Sequence, residues 1–242
     1  MKKNFLILGF IILFLQITNP VNAVSKDSLH LLFENALLES REGDFEKALK
    51  SWNDILILSP EDPIALSNRG NIRLILGDPE GAISDQTKAI EILPLEIDPY
   101  LNRGIAEETL HQWNKAKDDY KLVLEREPEN YSALYNLGNV MGSQGNWIEA
   151  QLLFQKASIA NSGFAMARSS KALASYQLDQ YDEAEKELRS LIRKYPMFAD
   201  ARAALSALLW RKGNLGEAES NWAAAVGLDK RYENKEWILE NR

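Results

Sequence analysis

Cysteine is absent from this 242-residue chain, and histidine occurs only twice, at His30 and His111. Without cysteine there is no thiol nucleophile, no disulfide and no cysteine-ligated metal or cluster. The two histidines are far apart in the sequence and form no paired metal-binding motif, so we expect both to be structural or solvated. The chain is therefore predicted to hold no metal and no cofactor.

A basic run is also missing. The 28 Lys and Arg are scattered, and 35 Asp and Glu bring the net charge to -7. Because an acidic chain repels phosphate backbones, nucleic acid is not an expected partner. No phosphate loop or nucleophile–base pair occurs, so we predict neither an enzyme nor a small-molecule substrate. Adjacent acids on one helix point apart, and we expect Glu107-Glu108 and Asp118-Asp119 to be solvated.

The first residues have the form of an export signal. Lys2 and Lys3 precede an apolar run from Phe5 to Leu15, and Val21-Asn22-Ala23 fits a small-x-Ala cleavage site. The run is shorter than the roughly 20 residues of a membrane span. We predict cleavage after Ala23, with an uncleaved membrane anchor as the alternative.

The rest of the chain is dominated by a 34-residue repeat. Six units follow one another without insertion or deletion: 29–62, 63–96, 97–130, 131–164, 165–198 and 199–232. The twentieth place always holds alanine: Ala48, Ala82, Ala116, Ala150, Ala184 and Ala218. The eighth holds only small residues: Ala36, Gly70, Gly104, Gly138, Ala172 and Ser206. Small side chains at fixed spacing predict two helices that cross closely in each unit.

The middle of each unit is predicted to be a turn. The fifteenth place holds Gly43, Gly77, Gly145 and Gly213, with His111 and Asp179 as exceptions. Glycine there allows the first helix to end in a left-handed cap. The next residue is expected to cap the second helix in four units, at Asp44, Asp78, Asn146 and Asn214.

Large residues complete the pattern. An aromatic or leucine recurs in the second helix at Trp52, Tyr120, Phe154, Leu188 and Trp222, with Gln86 as the exception. Proline follows the second helix at Pro60, Pro94, Pro128 and Pro196. These residues resemble the tetratricopeptide repeat (TPR) family over residues 29–232. The resemblance implies an all-α, right-handed superhelical solenoid of six helical hairpins, forming a single domain over residues 24–242.

The resemblance also implies where the solenoid ends and where it binds. Residues 233–242, with Trp237, Ile238 and Leu239, are predicted to begin a C-terminal capping helix. Family members generally bind a peptide or protein segment on the concave face formed by the first helices. The binding places are 2, 5, 6, 9, 12 and 13 of each unit.

Carried onto this chain, these places predict a peptide-binding row of asparagines. Place 6 holds Asn68, Asn102 and Asn136, and place 9 adds Asn71 and Asn139. A carboxamide has a donor and an acceptor and pairs with a peptide group on both sides. Hydrogen bonds between repeats are the alternative role for these amides, and chance is another.

Aromatic and apolar residues extend the predicted groove. Tyr135, Tyr176 and Trp210 are added as contacts, and Tyr100 lies close by. The fifth and sixth units make an apolar end with Met166, Leu173, Tyr176, Ala203, Ala207 and Trp210. Place 2 has no lysine, and Arg69 and Arg103 are expected along the helix flank. We therefore do not expect the carboxylate clamp of chaperone-binding family members.

The predicted function is an extracytoplasmic scaffold or assembly factor that holds a protein client in its groove. The alternative is a structural subunit of a membrane-associated complex that uses the convex face or the tail. An exported chain of this kind suits a bacterial periplasm. The tail from Glu236 to Arg242 resembles TPR proteins of cyanobacteria and the thylakoid lumen, where association with a membrane protein complex is expected.

Overall fold

The computed structural model describes residues 26–236. The predicted signal at 1–23 and the apolar residues of the predicted capping helix, Trp237 to Leu239, lie outside the described residues. Within this range the chain forms twelve α-helices and one short 3-10 helix, and no strand occurs there.

The helices alternate regularly along the chain. The first helices of the six units are α1 (Lys26–Glu42), α3 (Pro63–Ile75), α5 (Asp98–Thr109), α7 (Tyr131–Ser143), α9 (Ala165–Gln177) and α11 (Ala199–Arg211). The second helices are α2 (Phe45–Leu58), α4 (Pro79–Ile92), α6 (Trp113–Arg126), α8 (Trp147–Ala160), α10 (Tyr181–Lys194) and α12 (Leu215–Leu228). The 3-10 helix spans Lys230–Glu233. We call the six pairs hairpins 1 to 6.

The hairpins stack into a solenoid that curves toward the first helices. Each helix contacts the next one in sequence, and α3 also contacts α5, α5 contacts α7 and α9 contacts α11. Among the described residues, second helices of successive hairpins make no comparable contact. The first helices therefore line the concave face. The prediction of an all-α solenoid of six helical hairpins is confirmed for the described residues.

The small residues at the eighth place allow the close helix crossings. A Cβ atom on Gly104 would lie 2.6 Å from the Tyr120 ring, and one on Gly138 would lie 2.6 Å from the Phe154 ring. Carbon atoms do not approach each other this closely. The aromatic ring of the second helix therefore fits only because the first helix has a glycine, with no side chain, at the crossing.

The turns adopt a left-handed backbone in all six hairpins, which was predicted for the four with glycine. The four glycines have φ between 78° and 83°. His111 and Asp179 have φ values of 56° and 59°, although L residues rarely adopt this conformation. The left-handed turn of the repeat is therefore kept even in the two hairpins that lack glycine at this place.

The capping prediction for the second helices is half right. The side chains of Asp78 and Asn146 accept hydrogen bonds from the first turns of α4 and α8. Asp44 pairs with Lys47 instead, and Asn214 donates to Glu217 at 2.9 Å. Neither Asp44 nor Asn214 makes a side-chain hydrogen bond to the backbone of its second helix.

Candidate functional site

The asparagines at place 6 lie on three neighbouring helices of the concave face. Asn68 is on α3, Asn102 on α5 and Asn136 on α7, and these helices contact one another in turn. All three side chains are half-buried. We call them the asparagine row. Its members repeat once per hairpin, so a chain that crosses the hairpins meets one amide at each.

The amides of the row are largely unused by the protein itself. Asn68 donates to the carbonyl of Ile64, one turn earlier in α3, at 2.9 Å. Asn102 and Asn136 make no hydrogen bond within residues 26–236. An amide without a partner on a helix surface is left to water or to a ligand.

The asparagines at place 9 differ from each other. Asn71 accepts a hydrogen bond of 2.9 Å from Gln86, which is fully buried inside hairpin 2. Asn139, on α7, is half-buried and has no hydrogen-bond partner in the described part of the chain. Asn71 therefore supports the hairpin through its carbonyl, whereas both ends of the Asn139 amide are available.

The predicted aromatic contacts fall into different environments. Tyr135 packs against Phe164 with ring centroids 4.9 Å apart and belongs mainly to the core. Tyr176 packs edge-on against Tyr181, and the Arg211 guanidinium lies over both rings. Trp210 is 60% exposed.

Tyr100 packs inward, as its place in the repeat indicates. It is buried, and its hydroxyl donates to the carbonyl of Pro94 at 3.1 Å.

Apolar side chains are exposed on α9 and α11, but fewer of them than predicted. Met166 and Leu173 are 49% and 44% exposed, and together with Trp210 they form an apolar surface on α9 and α11. Ala203 is buried, since it packs in the cluster around Ala225 and Tyr232, and it does not contribute to that surface.

Arg69 and Arg103 do not lie along the helix flank. Arg69 forms a bidentate pair with the buried carboxylate of Asp85, at 2.8 and 2.7 Å. Arg103 pairs in the same way with Asp119, at 2.8 Å on both sides. Each arginine therefore joins the first and second helices of its own hairpin.

The same arginines also reach the preceding hairpin. The remaining nitrogen of Arg69 donates to Asn53 of α2 at 2.9 Å, and that of Arg103 donates to Thr87 of α4 at 3.2 Å. A shared spacing of 16 residues between arginine and aspartate was the sequence signal for these pairs. Both guanidinium groups are thus engaged by side chains of the solenoid itself.

The adjacent acids are not solvated as predicted. Asp119 is buried in the pair with Arg103, and Glu107 is 5% exposed. Glu108 accepts a hydrogen bond of 2.9 Å from the Tyr120 hydroxyl. Only Asp118 is exposed. In a two-layer solenoid the second layer covers positions that would be open on an isolated helix.

Burial changes the acid chemistry of this region. Desolvation raises the pKa of Glu107 to about 7, and the like charge of Asp119 adds to the effect. Desolvation also raises the pKa of Glu108, against the opposing hydrogen bond from Tyr120. One oxygen of Glu107 is buried without a hydrogen-bond partner.

Neither a metal-binding cluster nor a membrane-spanning helix occurs among the described residues. Residues 26–236 contain no group of three His, Asp or Glu side chains placed to hold a metal ion. None of the twelve helices is long and apolar enough to cross a membrane.

Comparisons with known proteins agree on one repeat type. The model of the tetratricopeptide repeat family matches residues 33–97 and 169–231, which together are more than half of the chain. Sperm-associated antigen 1A of Danio rerio is 35% identical over 107 residues, which are 44% of this chain and 25% of that protein. The chain spans a quarter or less of the length of the first curated relatives that it matches.

Solved structures extend the likeness to nearly the whole chain. PilW, described as a type IV pilus biogenesis factor, has a TM-score of 0.76 at 19% identity and covers 90% of this chain and 100% of that one. YrrB, described as having an unusual peptide-binding site, has a TM-score of 0.58 at 21% identity, with 80% and 98% covered. At these identities the likeness concerns the fold.

Proposed function

This chain belongs to the tetratricopeptide repeat family, and from that premise we propose that it is a scaffold that holds an extended segment of a client protein in its concave groove. The observation that carries the proposal is the asparagine row. Three consecutive hairpins present an amide at the same place, and those of Asn102 and Asn136 have no partner among the described residues.

Asparagine needs a reason to stand in the middle of a helix. It costs roughly 0.5–0.7 kcal/mol relative to alanine there. Neither Asn102 nor Asn136 recovers this cost through a bond within residues 26–236. A bidentate hydrogen bond to a peptide group supplies the missing interaction and depends little on the client's side chains.

The apolar end of the groove adds selectivity. Met166, Leu173 and Trp210 are exposed where the asparagine row has ended. An exposed tryptophan beside aliphatic side chains is a common anchor for an apolar side chain of a partner. The client is therefore proposed to run along the row in extended form and to place an apolar side chain at hairpins 5 and 6.

We further propose that the protein acts outside the cytoplasm, as an assembly or chaperone-like factor. The support is the signal-like segment at 1–23, with a periplasm or a thylakoid lumen as the compartment. The membrane-anchored form with an uncleaved signal remains the alternative. Both forms place the groove beyond the membrane.

The groove is tested by replacing the row. The full-length chain and the triple variant Asn68→Ala, Asn102→Ala, Asn136→Ala are expressed in the native compartment and their partners are captured. We expect the client to be lost from the variant, because three bidentate contacts disappear while the helices gain propensity. Identical partner lists would contradict the groove and favour a structural subunit bound through its convex face or tail.

A matched control uses asparagines outside the row. Asn35 and Asn114 are exposed and lie outside the predicted binding places. The double variant Asn35→Ala, Asn114→Ala should keep the client. Loss of the client from this variant as well would mean that the effect is not specific to the groove.

A further inference from the structure

Helix α8 is apolar on both of its faces. Its inner face packs Ala150, Leu153, Phe154 and Ala157 into the core. Its outer face carries Ile148, Leu152 and Ile159, which are 73%, 52% and 72% exposed. These three residues follow one another by four and seven positions and therefore lie on one side of the helix. We call them the outer stripe.

The outer stripe is particular to hairpin 4. The same three places hold Glu46, Lys50 and Ile57 in hairpin 1, Glu80, Ser84 and Glu91 in hairpin 2, Asn114, Asp118 and Glu125 in hairpin 3, Asp182, Lys186 and Arg193 in hairpin 5, and Gly216, Ser220 and Gly227 in hairpin 6. The fold itself therefore does not require apolar residues there. An exposed apolar face framed by polar residues is typical of an interaction site.

Opposite charges frame the outer stripe on its two sides. On α6, Asp118 and Glu125 occupy the repeat places of Leu152 and Ile159. On α10 the same places hold Lys186 and Arg193. All four charged side chains are exposed, and none forms an ion pair within residues 26–236. The surface is thus acidic on one flank, apolar in the middle and basic on the other.

We propose that the outer stripe docks a second copy of this chain, with the two α8 helices side by side and parallel. A two-fold axis that runs along α8 brings α6 of one copy opposite α10 of the other. Asp118 and Glu125 then face the partner's Lys186 and the partner's Arg193. Self-complementary surfaces of this kind are what a closed two-fold dimer needs.

The charges select this orientation over the antiparallel one. A two-fold axis across α8 would set α6 against α6, so that acidic groups would face acidic groups. Like charges at an interface disfavour a pairing. Lys121 lies between the two acids and would face the partner's Arg189, a charge that Glu185 and Glu217 already neutralise.

Such a dimer leaves the concave faces pointing away from each other. Each copy keeps its asparagine row free, because the outer stripe is on the second-helix layer. The pair would offer two grooves in one particle and would gain avidity for a client with repeated segments. Dimerisation through the outer stripe does not require a client, so the dimer and the client-binding groove can each be disproved without the other.

The first test measures the oligomeric state of the purified full-length chain by sedimentation equilibrium. We expect a reversible dimer for the wild type and a monomer for Leu152→Glu. Ile57→Glu is the matched control, since Ile57 is 76% exposed on α2 at the place of Ile159, and it should remain dimeric. Circular dichroism checks that the variants keep their helices. A monomeric wild type, or equal dissociation of all three proteins, would overturn the proposal.

The second test determines the orientation, and the absence of cysteine makes it clean. Single variants Ile148→Cys and Ile159→Cys are oxidised and examined for linked dimers. In the parallel pair each residue of the outer stripe faces the same residue of the partner, so both variants should cross-link. In an antiparallel pair the two ends lie about 16 Å apart along the helix. That exceeds the roughly 7 Å that a disulfide spans between Cα atoms. Cross-linking by Gln155→Cys alone would therefore overturn the parallel arrangement.

Discussion

Hairpins 2 and 4 have the same backbone arrangement, but the interior of hairpin 2 is polar and that of hairpin 4 is apolar. At four matching places hairpin 2 holds Arg69, Arg73, Asp85 and Gln86, whereas hairpin 4 holds Leu137, Met141, Leu153 and Phe154. In hairpin 4 all four side chains are buried and apolar. The helix lengths are the same, 13 and 14 residues in each hairpin.

The difference shows what the repeat frame requires and what it leaves free. Small residues at the crossing and a left-handed turn are present in both hairpins. The space between the two helices is filled by apolar side chains in hairpin 4 and by a hydrogen-bonded network of polar side chains in hairpin 2. The hydrogen bonds of this network are directional. Asp85 accepts hydrogen bonds from both Arg69 and Arg73, and Arg69 also donates to Asn53 of hairpin 1. Hairpin 2 is therefore fixed in register against hairpin 1 by geometry as well as by burial.

The largest effect is expected from removing the centre of that network. In Asp85→Ala two guanidinium groups lose a carboxylate that is 1% exposed. Breaking one partner of a buried ion pair costs about 3–5 kcal/mol. Urea unfolding of the variant at neutral pH should show a loss of this size.

A control shows that the cost comes from burial. Asp54 pairs with Lys50 at 2.7 Å on the surface of α2, and Asp54→Ala should cost below about 0.5 kcal/mol. Equal losses in the two variants would mean that the interior of hairpin 2 is solvated.

Hairpin 3 lies between the two types and carries a mismatch. It keeps the Arg103–Asp119 pair, but Glu107 stands where hairpin 2 has Arg73 and hairpin 4 has Met141. Glu107→Met copies hairpin 4 at this place. Because it removes a buried carboxyl with an unpaired oxygen, we expect it to stabilise the protein by about 2–3 kcal/mol at pH 8.

The gain should depend on pH. The pKa of Glu107 is raised to about 7 in the folded protein, above its ordinary value of 4.5. A raised pKa means that the folded state binds the proton more tightly than the unfolded state. The wild type therefore loses stability as the pH rises from about 4.5 to 7, and the variant lacks this loss. A stability difference that stays constant from pH 4 to pH 8 would show that Glu107 does not titrate in this range.

Much of the frame was readable from the sequence. Ala82 and Ala150 at the twentieth place and glycine at the fifteenth predicted the hairpins, because close crossings and left-handed turns each accept few residue types. Helix ends followed from the prolines, as α4 ends at Ile92 and Pro94 comes two residues later.

The interior polar network was not readable in the same way. Asp119 looked like half of a solvated acidic pair, because the helical pattern alone does not say which neighbour covers it. Pairing needs the second layer, in which Arg103 approaches from α5. For the candidate site, the sequence placed the asparagines on the first helices. Only the structure separates Asn71, which accepts a hydrogen bond from Gln86, from Asn102, which has no hydrogen-bond partner within residues 26–236.

A smaller effect is expected at the turn of hairpin 3. Hairpins 2 and 4 have Gly77 and Gly145 at the left-handed position, whereas hairpin 3 has His111 with φ of 56°. His111→Gly relieves the clash of a Cβ in this conformation, and it should stabilise the protein by about 1 kcal/mol despite the added freedom of the unfolded chain. The His111 ring rests on Trp113 with centroids 5.0 Å apart, and losing that contact reduces the gain. Thermal unfolding of His111→Gly measures the net gain in stability. Gly145→Ala should change stability in the opposite direction.

The smallest net effect is expected from exchanging the interiors. The triple variant Arg69→Leu, Arg73→Met, Asp85→Leu gives hairpin 2 the residues of hairpin 4 at three places. Replacing a complete buried ion cluster by apolar residues leaves no charge stranded, so stability should stay within about 1 kcal/mol of the wild type. A loss as large as that of Asp85→Ala would show that the polar interior is required for folding. If stability is kept but hydrogen exchange rises at the α2–α3 contact, the network instead fixes the register of hairpin 2 against hairpin 1.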